Sequence, residues 1–113
     1  MIVCNTVILG PGYSDSKEIR LFKAQDKVYE IGTKLGLAHF LIEAGKQLYK
    51  IAYHKNFIQG RSVPVVAAVC LYVACRQAKP SPPYLLIDFS DAIQANMFYL
   101  GTVYLKLVEK LFL

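Results

Sequence analysis

The side chains of this chain best placed to do chemistry are cations, and the chemistry is anion binding rather than bond making. Lys46, Lys50 and His54 recur at every fourth position, and Lys55 and Arg61 follow before any acidic residue intervenes. On a helix that spacing stacks the groups one turn apart as a ridge. Such a ridge is either the solvated face of a basic protein or a track for phosphates, and spacing alone leaves both open. Arg20, Lys23, Lys27 and Lys34 flank an earlier segment, where Asp26 and Glu30 dilute them. The whole chain leans the same way: 13 Lys and Arg against 8 Asp and Glu give a formal charge of +5, which favours phosphate polymers or acidic surfaces.

Other chemistries find little support. Cys70 and Cys75 sit five apart in an apolar run and Cys4 stands alone, so there is no CxxC pair; the thiols read as small core hydrophobes of a reduced, intracellular protein. His39 and His54 are remote in sequence from the thiols, so no zinc ligand set is recognisable. No Gly-rich phosphate loop, HExxH or GxSxG string occurs, and His54 beside Lys55 reads as a surface residue rather than a general base. The expectation is a protein that is not an enzyme, with no cofactor, no metal and no small-molecule substrate.

Apolar periodicity supplies the scaffold. With 113 residues, 55% of them hydrophobic and 19% charged, the chain has the length of one domain and more apolar material than it needs for one core. The excess suggests a face meant for a partner. Leu21, Ala24, Val28, Ile31 and Leu35 share a helical face, which predicts a first helix over 16–35, with Asp15 and Glu18 as an acidic capping pair and Gly36 as its stop. A second helix is predicted from about Ala38 to Asn56, burying Leu41, Ala44, Leu48 and Ile51 on one stripe and Tyr49, Tyr53 and Phe57 on another.

Gly60-Arg61 makes a turn, Ser62 can cap, and Pro64 fits the first turn of a third helix running to about Ala78. That helix is apolar around nearly its whole circumference, so it must be enclosed by the others. Lys79-Pro80-Ser81-Pro82-Pro83 breaks the chain. A short helix then spans about Leu86 to Ile93, Gln94-Ala95 turns, Asn96 caps, and a last helix carries Leu100, Val103, Leu107 and Leu111 inward. The fold class is all-α: a single five-helix domain over 13–113 with a central buried helix 3, behind an irregular or strand-like tail at 1–12. No membrane span is expected, because the uncharged run Val63–Cys75 falls short of the roughly 20 residues a spanning helix needs.

The order of elements carries a resemblance. Asn56-Phe57-Ile58-Gln59-Gly60-Arg61, then AAVCLYVACR from Ala67 to Arg76, resembles the first cyclin-like repeat of the TFIIB family. LLIDFS at 85–90, followed by a helix after Asn96 with Tyr99-Leu100-Gly101, is similar to the B-related factor, the TFIIIB subunit used by RNA polymerase III. Residues 12–17 are similar to plant members. Such proteins open with a zinc ribbon and continue into a second repeat; this chain reads as one truncated repeat behind a nine-residue start, MIVCNTVIL.

What the resemblance implies is a general transcription factor module in the nucleus, bridging TBP, promoter DNA and RNA polymerase III, with DNA binding that is weak alone and salt-sensitive. It implies DNA contact at Gly60 and Arg61, supported by the ridge cations Lys46, Lys50 and Lys55, and a TBP-facing place for Arg76. The plainer readings are a turn glycine, a solvated arginine, and a cation satisfying helix carbonyls. A helix-turn-helix role for Asn96, Tyr99, Thr102 and Lys106, and base stacking by Tyr49, Tyr53, Tyr72 and Tyr104, compete with ordinary packing. Two other functions remain: a kinase-binding cyclin-like module, and a nonfunctional or dominant-negative fragment of the B-related factor.

Overall fold

The computed structural model of the chain describes residues 13–58, 60–78 and 83–111, with side chains from residue 19 onward. The expected tail, Cys4 and most of the proline-rich break lie outside the described residues. Five helices follow in order: α1 (Tyr13–Leu35), α2 (His39–His54), α3 (Val63–Gln77), α4 (Leu86–Ile93) and α5 (Met97–Leu111). The described residues contain no strand.

Helix α3 is the hub. Every residue from Val65 to Leu71 is buried, as are Val73, Ala74 and Cys75, and the helix packs against α1, α2, α4 and α5. Full burial of each Val or Leu side chain contributes about 1.5–3 kcal/mol, so this helix dominates the apolar stabilisation. Pro64 occupies its first turn as expected. Ser62 stands at the N-cap position, yet its side chain makes no cap hydrogen bond. Cys70 and Cys75 are free, buried thiols; burial pushes them up to about 12 and about 11 respectively.

The surrounding helices present the faces that periodicity indicates, with two corrections. Ala24, Val28 and Ile31 of α1 and Leu100, Val103 and Leu107 of α5 are buried, flanked by half-buried Leu21, Leu35 and Leu111. In α1 the backbone is helical from Tyr13, back to the first breaker in the sequence, Gly12, so Asp15 lies inside the helix rather than at its cap. In α2 the buried stripe is Leu41, Ile42, Gly45, Tyr49 and Ala52, rotated from the expected one; Ala44 and Ile51 face solvent. The physical reason is Gly45. A Cβ there would lie 2.7 Å from Leu71 Cδ2 and 3.4 Å from Val28 Cγ1, so the missing side chain lets α2 pack closely on α3 and α1. Counting apolar side chains assigns no burial to a glycine.

Three helices end in the same manner. Leu37 N–H donates to Gly32 O and Gly36 N–H to Thr33 O; Phe57 donates to Ala52 and Asn56 to Tyr53; Ala95 donates to Ser90 and Gln94 to Asp91. These are paired C-terminal closures around a left-handed residue: Gly36, Asn56 and Gln94. The start of α5 is capped by Asn96, whose Oδ1 accepts from Phe98 N at 2.7 Å and Tyr99 N at 3.4 Å. The apolar excess is visible on the outside, where Phe98, Phe40, Leu105 and Phe22 are each about two-thirds exposed or more.

Candidate nucleic-acid interface

The loop between α2 and α3 is built by the end of α2. Asn56, at φ 60°, reverses the chain so that Phe57 drops into the core, 4% exposed. Arg61 N–H then donates to Ile58 O at 2.9 Å, closing a four-residue turn whose third member, Gly60, has φ 78°. That conformation suits glycine, and no atom beyond Gly60 and its chain neighbours lies within 4 Å of where a Cβ would stand: the space above Gly60 is open.

Arg61 does not reach straight out into solvent. Its Nη1 donates to Phe57 O at 2.8 Å, and the guanidinium carbon lies 4.2 Å from the Phe57 ring centroid. The side chain is half-buried, with one face against the ring. Such stacking suits a planar, weakly hydrated cation.

Beside this loop runs an open groove of about 740 Å³, lined by Lys55, Asn56, Phe57 and Arg61 on one wall and by Lys106, Glu109 and Lys110 of α5 on the other. Four cations face one carboxylate. Phe57 is buried beneath Arg61, so the groove carries cations on both walls and no open aromatic socket.

Of the sequence-predicted site residues, Arg61 and Lys55 line this groove; Gly60, next to Arg61 in the loop, does not line it, nor do Lys46, Lys50 and Arg76. Lys46 Nζ lies 3.3 Å from Glu43 and 5.4 Å from the Tyr29 ring centroid, which ties its charge to α1 and α2. Lys50 is exposed one turn on. Arg76 is exposed at the end of α3, over the Tyr72 ring at 5.7 Å. Its hydrogen bond with Tyr72, reinforced by Tyr104, holds its pKa above the ordinary arginine value. On α1, Lys27 pairs with Glu30 at 3.1 Å and Lys34 donates to Ala92 O at 2.9 Å, which fits a solvated, structural face.

Of the helix-turn-helix candidates, Asn96 caps its own helix and Thr102 Oγ1 donates to Phe98 O, while Tyr99 is exposed and Lys106 lines the groove. Tyr49 is buried, and Tyr72 meets Phe89 and Tyr104 edge-on at 5.7 and 5.1 Å, so these rings pack the core. Lys110 was invisible as a site residue in sequence, and Lys106 stood out only as a candidate base reader. Their spacing of four beside the buried Leu107 marks them as one exposed ridge, but only the fold brings that ridge to the α2–α3 loop. Among the described residues no three His, Cys, Asp or Glu gather to hold a metal, and no helix is long and apolar enough to cross a membrane.

Comparison with known proteins places this arrangement among relatives. The family model described as the transcription factor TFIIB repeat matches residues 17–110. The transcription factor IIIB 70 kDa subunit of Saccharomyces cerevisiae is 38% identical over 102 residues, covering 90% of this chain and 17% of that subunit. The 60 kDa subunit of Schizosaccharomyces pombe is 38% identical over 88% of this chain and 20% of its own length. The human 90 kDa subunit is 29% identical over 94% of this chain and 16% of its own. The chain thus spans about a fifth or less of the length of these relatives.

Proposed function

The chain belongs to the transcription factor TFIIB repeat family, and from that premise we propose that it acts in the nucleus as a bridging module between TBP, promoter DNA and RNA polymerase III. Its relatives are transcription initiation factors, a family without enzymatic activity. The mechanism is recruitment through shape and charge, with no bond chemistry.

The observation that carries the reading is the α2–α3 loop. Gly60 leaves its backbone open to close approach, while Arg61, braced on Phe57, and Lys55 set cations beside it. A braced guanidinium loses less conformational freedom on meeting a phosphate or base edge than a free one. Arg76, at the far end of α3, is the residue that faces TBP in this reading, its cation held in place by Tyr72.

The test is a fluorescence-anisotropy titration of the chain onto a TBP-bound promoter duplex at several salt concentrations. Binding that weakens with salt by about 0.9 log units per log unit for each phosphate contacted, and falls with Arg61→Ala, is expected. Affinity unchanged by salt and by Arg61→Ala rejects it.

A further inference from the structure

We infer that Lys106 and Lys110 of α5 are phosphate-contacting residues, forming with the α2–α3 loop the second wall of a groove that takes the backbone of duplex DNA. This rests on the reading above and extends it to a helix 45 to 50 positions further along the chain, where the sequence suggested base reading by Lys106 but no phosphate contact and no role for Lys110.

Three observations carry it. Lys106 and Lys110 line the same open groove as Lys55 and Arg61, which gives one concave surface with four cations and a single acid, Glu109. The two lysines are exposed and one turn apart. Their rise of about 6 Å spans roughly two phosphates at about 3.4 Å per nucleotide along a strand. Finally, the sequence-predicted ridge is the weaker candidate, because Lys46 is bound to Glu43 and the ridge cations above Lys55 stand outside the groove.

An acidic peptide is the competing occupant. Tight peptide sites need an apolar pocket for anchoring side chains. Here Phe57 is only 4% exposed and covered by Arg61, so no open ring stands ready as an anchor, and four cations against one acid suit a phosphate polymer whose binding is driven by counterion release.

The experiment measures affinity of the full chain for a labelled 20-base-pair duplex at 50 and 200 mM salt. Lys106→Gln/Lys110→Gln is set against Arg20→Gln/Lys23→Gln, exposed on α1, which removes the same charge away from the groove. Circular dichroism verifies that both variants fold. The groove variant is expected to lower the salt slope by about 1.8, so that it loses about 12-fold less affinity than the parent over that interval. The control keeps the parental slope, and Lys106→Arg/Lys110→Arg restores it.

An unchanged slope in the groove variant, or an equal drop in the control, overturns the inference. Displacement of the duplex by polyglutamate at equal charge concentration overturns it in favour of a peptide. If binding is lost with Arg61→Ala yet indifferent to Lys106 and Lys110, this inference fails while the proposed function stands. If the parent chain binds neither free nor TBP-bound duplex, both fail.

Discussion

Arg61 and Phe57 form a single unit: the arginine caps the ring from 4.2 Å and donates to the carbonyl of the same residue at 2.8 Å. The ring is in turn locked by the closure of α2, so the pose of the cation traces back to the left-handed Asn56. In the proposed reading, recognition and loop integrity therefore share one residue.

Arg61→Ala is expected to lower stability by about 1 kcal/mol, from one hydrogen bond and one cation–π contact on a half-exposed loop. Urea denaturation measures it. Arg61→Lys should fall between, since ammonium cannot stack as a plane. A variant as stable as the parent removes the bracing argument.

Gly45→Ala should destabilise by about 1–2 kcal/mol. The new methyl meets Leu71 Cδ2 at 2.7 Å, and Leu71 is itself fully buried and has nowhere to go. Overpacking of about 1–3 kcal/mol outweighs the gain of about 1 kcal/mol in helix propensity. Gly101→Ala is the matched control. Its Cβ meets nothing closer than Leu86 Cδ2 at 3.7 Å, and thermal unfolding should show it more stable by about 0.5–1 kcal/mol.

Gln94 holds φ 57° at the end of α4, a conformation that disfavours a side chain. Gln94→Gly is expected to stabilise by about 0.5–1 kcal/mol, the relief of strain exceeding both the lost bond from Gln94 Nε2 to Asp91 O and the added unfolded-state freedom. A lowered denaturation midpoint contradicts this.

The buried thiols predict an alkaline weakness. Unfolded, a thiol titrates near 9.0; folded, Cys70 and Cys75 are pushed up to about 12 and about 11 by burial. Below pH 9 their contribution is complete. As pH rises from 9 toward 11–12 the unfolded chain releases protons that the folded chain keeps, so stability falls. Tyr49, also raised to about 12 from 10.0, chiefly by burial, adds to the fall above pH 10. Melting temperatures from pH 8 to 11 should drop, and Cys70→Ala/Cys75→Ala should flatten the first part of that slope. Site-resolved alkylation of the native chain should leave both thiols unmodified on the timescale at which urea-unfolded protein reacts.

Much of this fold is legible in residue spacing, because α3 is apolar all round and α4 and α5 are bounded by proline, an Asn cap and a turn. The α2 stripe was misread by a fraction of a turn. There the most informative core position is Gly45, whose burial comes from the approach of two other helices. The site was half legible. Gly60 and Arg61 stand in a recognisable string, whereas Lys106 and Lys110 join them only through the packing of α5, and Lys46 leaves them through a local partner, Glu43.

The enclosed α3 also acts as a calliper. Its 15 residues at about 1.5 Å each set the α2–α3 loop and Arg76 about 22 Å apart on a strut clamped along its length. Any assembly that grips both ends must match that span, and substitutions in the middle of α3 can alter the strength of the strut but never the chemistry offered at its tips.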